Sequence, residues 1–227
     1  NCTASDYIVI GEQLKVPAFL TKTLDCSASP DAVIKVTIDG GLRPARYKIK
    51  KGNKIITTDD ITIPDNFSSF TYTVSQADAA DYSFIIIDRN GCEKTTNTVT
   101  VSPNVAPFIN SLEQTQSIFC NGDSTAIIKV NLDTSKGTAP FTYYVKNTTT
   151  NVDYGDQLAG LPAGKYEVTV KDSKDCSHTK DITISEPDKL KVVYHSNPII
   201  CSSSGKSKGA VVVDGVTGGV PPYNYYV

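Results

Sequence analysis

A short phrase of proline and aromatic residues recurs along this chain, and the recurrence constrains the fold more than any other feature. It stands as RPARYKI at 43–49, as TAPFTYYV at 138–145 and as VPPYNYYV at 220–227. Each copy predicts a turn around its proline, followed by an alternating strand. Self-similarity at such a spacing is typical of tandem structural repeats, so we expect one folding unit to occur several times.

The cysteines follow the same repeat and divide into two classes. One class precedes a predicted strand, and the other follows the end of a strand. The first class is Cys26, Cys120 and Cys201, and the second is Cys2, Cys92 and Cys176. We therefore place complete units at 12–104 and 105–187, the last strand of a preceding unit at 1–11, and the truncated first part of a third unit at 188–227. On this interpretation the chain is an internal piece of a longer protein, in keeping with its start at Asn1 and its lack of methionine.

Short strands fill each unit. VIKVTIDG at 33–40, DYSFIIID at 81–88 and KYEVTVKD at 165–172 are rich in β-branched and aromatic residues, which favour strands. Gly, Pro, Asn and Asp separate such segments, and helix signals are scarce. Seven short strands in about 90 residues are typical of an immunoglobulin-like sandwich. We therefore predict an all-β protein of tandem immunoglobulin-like β-sandwich repeats arranged head to tail.

Charge and composition exclude several classes of function. The formal net charge is −2, so the chain has no basic surplus with which to bind a nucleic-acid backbone. No apolar run reaches the roughly 18 residues of a membrane-spanning helix. The patterns G-x-S-x-G, H-E-x-x-H, C-x-x-C and the P-loop are absent from the sequence. We therefore expect no enzyme, no cofactor and no zinc site.

The second half of the chain carries a longer pattern that resembles a known family. LAGLPAGKYEVTVKDSKDC at 158–176, together with GTAPFTYYV at 137–145, resembles the SprB-type repeat of Bacteroidota cell-surface gliding-motility adhesins. GGVPPYNYYV at 218–227 is similar to the same pattern, whereas the first unit departs from it and lacks the L-P-A-G turn. The resemblance implies tandem β-sandwiches, export by the type IX secretion system, and a role in surface adhesion or gliding.

For an exported β-protein, six cysteines predict disulfides. Pairing within units would join Cys26 to Cys92 and Cys120 to Cys176. The expected topology has five strands between Cys26 and Cys92, and an odd number places the two at opposite ends of a sandwich. A strand is about 17–20 Å long, whereas the Cα atoms of a disulfide lie within about 7 Å. Opposite corners of neighbouring units meet in a head-to-tail array, so we expect Cys26–Cys176 across the junction, with pairing within units as the alternative.

Exposed tyrosines are candidates for contact with a partner. Tyr144, Tyr223 and Tyr225 lie on predicted strands that carry adjacent tyrosines, so one of each pair faces outward. Packing on a sheet face is the other interpretation of these side chains. Ser124, in Asp-Ser-Thr at 123–125, resembles the O-glycan acceptor pattern of the same bacteria and is a candidate for modification.

Histidines and aspartates give weaker signals. His178 and His195 are interpreted as isolated surface residues. Aspartates gather at predicted turns, where their side chains hydrogen-bond the local backbone. None of these groups has the ligand pattern of a known calcium loop. We predict no metal site, and calcium at a unit junction stays open as an alternative.

Together these features predict a non-catalytic segment of a large, secreted, extracellular cell-surface repeat protein. As an adhesin or filament stalk, it would form an extended array, stapled by disulfides, that bears tension during adhesion or gliding. Its partners would be neighbouring repeats of the same chain and surface polysaccharide or other cell-surface proteins. One alternative is an array of carbohydrate-binding modules attached to a secreted enzyme, although the chain has no tryptophan. The other is a stalk that only spaces a distal adhesive head.

Overall fold

The computed structural model describes residues 13–202, 205–206 and 208–226. The described part is all-β, with twenty strands and, as its one helical element, a 3-10 turn at Gln76–Asp78. The strand predicted within 1–11 lies outside the described residues. Contacts divide the chain into two compact units. Unit 1 is Asn1–Val105 with Lys174–Cys176, and unit 2 is Ala106–Ser173 with Ser177–Val227.

Unit 1 is a sandwich of two antiparallel sheets. One sheet has the order β1-β2-β6, and the other has the order β4-β3-β7-β8, with β5 paired to β3 and β9 paired to β7. The strands are β1 Ala18–Lys22, β2 Ala32–Thr37, β3 Ala45–Lys51, β4 Lys54–Ile55, β5 Ile61–Ile63, β6 Ser69–Val74, β7 Asp81–Ile87, β8 Glu93–Thr95 and β9 Val99–Thr100. This strand order is that of an immunoglobulin-like sandwich.

Unit 2 begins with a second sandwich of the same topology. Its sheets have the orders β10-β11-β14 and β13-β12-β15-β16. The strands are β10 Ile109–Gln116, β11 Ala126–Leu132, β12 Thr142–Asn147, β13 Val152–Asp153, β14 Ala159–Leu161, β15 Gly164–Lys171 and β16 Ser177–Ile184. The predicted all-β, immunoglobulin-like fold is therefore confirmed in both sandwiches, whereas the proposed boundaries at 104 and 187 remain an interpretation of the sequence pattern.

Two hairpins follow the second sandwich. The longer pairs β17 with β20, and the shorter pairs β18 with β19. The strands are β17 Lys191–Asn197, β18 Cys201–Ser202, β19 Gly205–Lys206 and β20 Ala210–Thr217. The strand expected in VPPYNYYV is absent, because residues 223–226 have no strand assignment. The equivalent segment β12 is a strand because it pairs with β13 and β15, and no described strand pairs with 223–226.

The core of each sandwich follows from residue alternation. In β2, Ala32, Ile34 and Val36 are fully buried, whereas Lys35 between them is exposed. Ala126 and Ile128 take the same buried places in β11. Because successive side chains of a strand point to opposite faces, one sheet face supplies the core and the other meets solvent.

In each sandwich, a buried tyrosine near the start of a strand donates a hydrogen bond to the turn that precedes that strand. Tyr82, near the start of β7, donates a hydrogen bond from its hydroxyl to the carbonyl oxygen of Asp78 at 2.7 Å. Tyr166, near the start of β15, does the same to Pro162 at 2.8 Å. Both rings are buried. Each contact corresponds to the tyrosine corner of immunoglobulin-like domains. In both units, the tyrosine and its acceptor residue are four positions apart.

The recurring phrase has one backbone form in all three copies. In each, a left-handed glycine precedes a cis proline by three residues. The glycines are Gly41, Gly137 and Gly219, and the prolines are Pro44, Pro140 and Pro222. A Cβ at these glycines would lie 2.8–2.9 Å from the residue that leads into the first strand, namely Leu14, Pro107 and Leu190. The left-handed φ favours glycine at all three positions, and at Gly137 the close approach to Pro107 requires it as well.

Candidate functional site

A disulfide joins Cys26 to Cys176, 150 positions later in the sequence. The sulfur atoms are 2.05 Å apart and the Cα atoms 4.8 Å apart, as in ordinary disulfides. Lys174–Cys176 belongs to unit 1 by its contacts. The N–H of Cys26 donates a hydrogen bond to the carbonyl oxygen of Lys174 at 2.8 Å. The pairing expected from the sequence is therefore present, and it indicates an oxidising environment outside the cytosol.

Asn104 contacts both sulfur atoms of this disulfide. Its Nδ2 group donates to Cys176 Sγ at 2.7 Å and lies 3.5 Å from Cys26 Sγ. Asn104 is held in turn by Gln76, whose Oε1 accepts from the Asn104 N–H at 2.9 Å and whose Nε2 donates to the Asn104 carbonyl oxygen at 3.0 Å. A polar frame of two side chains thus positions the disulfide.

A turn at Asp25 presents Cys26. One carboxylate oxygen of Asp25 accepts hydrogen bonds from the hydroxyl and the N–H of Ser27, at 2.7 and 3.1 Å. The other oxygen lies 2.9 Å from Lys22 Nζ. Hydrogen bonding to Lys22, followed by that to Ser27, lowers the pKa of Asp25 to about 2. The carboxylate therefore remains charged, and the turn keeps its hydrogen bonds, well below neutral pH.

The other described cysteines are free. Cys92, Cys120 and Cys201 are exposed thiols, and Cys2 lies outside the described residues. Between Cys26 and Cys92 the chain passes along the sandwich in β2, β3, the β4–β5 segment, β6 and β7. Five passes leave Cys26 and Cys92 at opposite ends, which is why the alternative pairs Cys26–Cys92 and Cys120–Cys176 do not form.

DRNGC at 88–92 and DSKDC at 172–176 share an Asp-x-x-x-Cys pattern, and the aspartate of each joins two turns. Asp88 Oδ2 accepts a hydrogen bond from the N–H of Leu42 at 3.3 Å, and its Oδ1 accepts from the N–H groups of Asn90 and Cys92, both at 2.9 Å. Burial alone would raise the pKa of Asp88, but these backbone hydrogen bonds outweigh it and hold the pKa below its ordinary value. Asp172 is equally buried. The sequence indicated these residues only as turn formers.

The candidate tyrosines have different surroundings. Tyr144 lies on β12 and is 52% exposed. It lines an open cleft of about 420 Å³ together with Phe141 and Asp156. Tyr223 is half-buried and donates its hydroxyl hydrogen to the carbonyl oxygen of Gly218 at 2.7 Å. Tyr225 is exposed but lies outside any strand. Of the three, Tyr144 therefore combines a defined position with an accessible ring.

Ser124 is exposed to solvent, whereas each of the two histidines contacts a neighbouring side chain or backbone group. Ser124 is exposed in the segment before β11, and its glycosylation stays a prediction. His178 is not isolated, because its Nδ1 accepts from the N–H of Ile109 at 3.2 Å and its ring lies 4.5 Å from that of Phe108. His195 is not isolated either, since its Nδ1 lies 2.8 Å from Asp214 Oδ1 on the paired strand.

Two general properties complete the description of possible sites. Among residues 13–202, 205–206 and 208–226, no three His, Cys, Asp or Glu side chains are close enough together to hold a metal ion. Over the same described ranges, no helix has the length and apolar character needed to cross a lipid bilayer.

No protein-family model matches the chain, and no curated protein is significantly similar to it in sequence. Solved structures with a similar fold include the three N-terminal domains of the Hoc outer capsid protein of bacteriophage RB49, at 12% identity and a TM-score of 0.44, covering 89% of this chain and 69% of that one. The fibronectin(III)-like modules of Clostridium thermocellum CbhA are 13% identical, with a TM-score of 0.37 and coverage of 75% and 93%. A C-terminal fragment of intimin, in complex with the intimin-binding domain of its receptor, is 11% identical, with a TM-score of 0.36 and coverage of 80% and 66%.

Proposed function

We propose that this chain is a non-catalytic segment of a secreted cell-surface repeat protein, an adhesin or filament stalk whose disulfides carry tension past its folded units. The observation that supports it most is the position of the disulfide in the chain. Cys26 lies between β1 and β2, and Cys176 lies between β15 and β16. Every strand from β2 to β15 is therefore enclosed in one covalent loop.

This connectivity determines which parts of the chain a pull can stretch. Tension applied at the two ends reaches Cys26, crosses the sulfur–sulfur bond and continues from Cys176. The enclosed strands are held by hydrogen bonds and packing that are each worth only about 1 kcal/mol net, but tension along the backbone does not pass through them.

Pulling single molecules from both ends tests the proposal. The oxidised protein should release only the residues outside the loop, whereas the reduced protein should extend further by the 150 residue spacings between Cys26 and Cys176, or about 540 Å at about 3.6 Å per spacing. The variant Cys26→Ala should show the long extension in oxidising buffer, and Cys92→Ala, which removes a free thiol, should not. Equal extension before and after reduction would refute the bypass.

Adhesion is the second part of the proposal. The exposed ring of Tyr144 beside Asp156 offers an aromatic face with an adjacent acid, a combination suited to sugar rings or to a partner protein. Gliding and type IX export are proposed from the resemblance to SprB-type repeats. Binding of the chain to arrayed bacterial polysaccharides, lost in Tyr144→Ala, would support adhesion. Absence of binding together with an intact bypass would favour a stalk that only spaces a distal head.

The same cleft favours a carbohydrate-binding module array as the alternative function. Such an array would bind the soluble polysaccharide substrate of a linked enzyme. Tight binding of a soluble polysaccharide, combined with equal extension of the oxidised and reduced protein under tension, would select this alternative.

A further inference from the structure

The free thiol of Cys120 lies in a cleft of unit 2. The cleft has a volume of about 450 Å³, and its lining includes Phe119, Leu190, Val220 and Pro222. The side chains of Phe119, Leu190 and Val220 are largely exposed there, at 65%, 53% and 49%. Cys120 thus stands beside an apolar surface that no described residue covers.

Cys120 has the same local position as the bonded Cys26. Each lies two residues after a buried aliphatic side chain, Leu24 or Ile118. Each also lies six residues before the buried alanine that begins the second strand of its sandwich. Cys26 is bonded, however, whereas Cys120 is free.

The partner of Cys26 has a defined chemical pattern. Cys176 ends the sequence Asp-Ser-Lys-Asp-Cys at 172–176. The aspartate at its start, Asp172, accepts a hydrogen bond from the N–H of Thr138, two residues before the cis proline Pro140. The pattern therefore makes two interactions. Its cysteine, Cys176, forms a disulfide with Cys26, and its aspartate, Asp172, accepts a hydrogen bond from a backbone N–H of a turn. Asp88 makes the same amide contact with Leu42, two residues before Pro44.

The cleft at Cys120 contains an equivalent of both interaction partners, a cysteine thiol and a turn N–H. Val220 lies two residues before the cis proline Pro222, as Thr138 does before Pro140. Its turn has the same left-handed glycine at the preceding position. No described residue accepts a hydrogen bond from the Val220 N–H. A free thiol and a free turn amide thus line one cleft.

We infer that this cleft is the receptor for an Asp-x-x-x-Cys hairpin turn, whose cysteine bonds to Cys120 and whose aspartate accepts from the N–H of Val220. This inference rests on the proposed function, since it names the partner that extends the covalent bypass. The proposed occupant is the corresponding hairpin of the third repeat, whose first part the sequence analysis places at 188–227. In forming the bond, two thiols lose two protons and two electrons, and a disulfide oxidant such as glutathione disulfide takes them up to become two thiols.

The resulting loop would overlap the first one. Cys120 lies inside the loop closed by Cys26 and Cys176, so a bond from Cys120 to a later residue would enclose Cys176 in its turn. The two loops would share residues 120–176, so consecutive repeats would be joined by disulfides as well as by the backbone.

A peptide of this chain's own residues 164–184 tests the inference. It contains β15, the turn with Asp172 and Cys176, and β16. Cys176 of the peptide is activated as a mixed disulfide with thionitrobenzoate. A protein thiolate attacks the peptide sulfur, the bond to thionitrobenzoate breaks, and thionitrobenzoate leaves as a coloured anion. The full oxidised chain, with its Cys26–Cys176 disulfide intact, is the acceptor, and peptide mapping measures labelling at each free thiol.

We expect Cys120 to react about tenfold faster than Cys92 or Cys201, because a charge-assisted hydrogen bond to the turn amide holds the peptide in place. The peptide variant Asp172→Asn should lose this preference. Asp181→Asn, which removes the same charge outside the turn, should keep it. No protein variant is needed, so a folding defect cannot imitate either result.

Three results would overturn the inference. They are equal labelling of Cys92, Cys120 and Cys201, unchanged selectivity with the Asp172→Asn peptide, and spontaneous Cys120–Cys92 dimers without peptide, which would make a second copy the occupant. None of these bears on the single-molecule extension, which depends on Cys26 and Cys176 alone. The inference and the proposed function can therefore fail separately.

Discussion

The carboxylate of Asp172 accepts a hydrogen bond from the backbone N–H of Thr138, 34 positions earlier in the chain, at 3.0 Å. The N–H of Ser173 donates to the carbonyl oxygen of Thr138, also at 3.0 Å. In unit 1, Asp88 and Arg89 make the corresponding contacts with Leu42, at 3.3 and 3.1 Å. The glycine–proline turn and the Asp-x-x-x-Cys turn recur together because they are two halves of one hydrogen-bonded structure.

Asp88→Asn tests the acidic half of this structure. An amide can accept at one position only and would direct an N–H toward a backbone donor, so unit 1 should lose about 2 kcal/mol of stability at neutral pH. The folded pKa of Asp88 is lowered, so its contribution is complete above the unfolded pKa of about 3.9 and declines as the pH falls through the folded value.

Urea unfolding at several pH values provides the measurement. The wild type should lose more stability on acidification than Asp88→Asn, because the variant lacks the titrating carboxylate. Asp65→Asn, which removes a carboxylate from an exposed turn position, is the matched control. Parallel pH curves for the wild type and Asp88→Asn would show that the carboxylate is not linked to folding.

Gly137→Ala tests the close approach behind the recurring glycine. The added Cβ would lie 2.9 Å from atoms of Pro107 and Phe141, at a φ of +76°. We expect a loss of about 3 kcal/mol from the left-handed backbone and steric overlap combined.

Gly155→Ala is the control for backbone conformation alone. Its φ is +61°, but nothing lies within 4 Å of the added Cβ, so it should cost only about 1 kcal/mol. Chemical unfolding monitored by tyrosine fluorescence gives both values. Equal losses in the two variants would mean that contact with Pro107 does not constrain the turn.

Tyr166→Phe tests the tyrosine corner of the second sandwich. The variant keeps the buried ring but leaves the carbonyl oxygen of Pro162 without its 2.8 Å partner, at a cost of about 1–2 kcal/mol. Tyr144→Phe removes a hydroxyl from an exposed side chain and should be neutral. A destabilisation shared by both variants would indicate a general effect of tyrosine removal rather than loss of the corner.

Reduction of the disulfide should lower the thermal stability of the oxidised chain. A closed loop of 150 positions restricts the unfolded chain enough to contribute about 5 kcal/mol. Differential scanning calorimetry with and without a phosphine reductant measures the change. The double variant Cys26→Ala with Cys176→Ala should unfold at the lower temperature under both conditions, and a reductant effect that persisted in this variant would exclude the disulfide as its cause.

Features set by local pattern were predictable from the sequence. The alternation of Ile34 and Lys35 gives the buried and exposed faces of β2 directly. Counting strands argued against Cys26–Cys92, since the parity of the count decides which end of a sandwich a residue occupies, and the expected head-to-tail order of the units then favoured Cys26–Cys176. Both inferences depend only on periodicity and topology, which the residues of each strand specify without knowledge of distant contacts.

Features that depend on a partner far along the chain were not predictable. Asn104 lies 72 positions from Cys176, and Asp88 lies 46 positions from Leu42. Their residue types suit many loops equally well, so the sequence alone did not indicate either contact. The strand predicted at 223–226 was wrong for a related reason. Alternating residues indicate which side chains would share a sheet face, but a strand also needs a neighbouring strand to pair its backbone hydrogen bonds. The tyrosine corners could have been predicted from the sequence. In each sandwich, a tyrosine lies near the start of the strand that forms the first half of the last hairpin.

The distance between Cys26 and Cys176 along the chain also sets an order of events in biogenesis. In a chain that enters an oxidising compartment N-terminus first, Cys92 becomes accessible to Cys26 before Cys176 does. Folding of the first sandwich moves Cys92 to the far end and so removes the wrong partner before the right one arrives. Correct maturation therefore depends on folding outpacing oxidation, and a mutation that slows the first sandwich should yield scrambled isomers of an otherwise normal sequence.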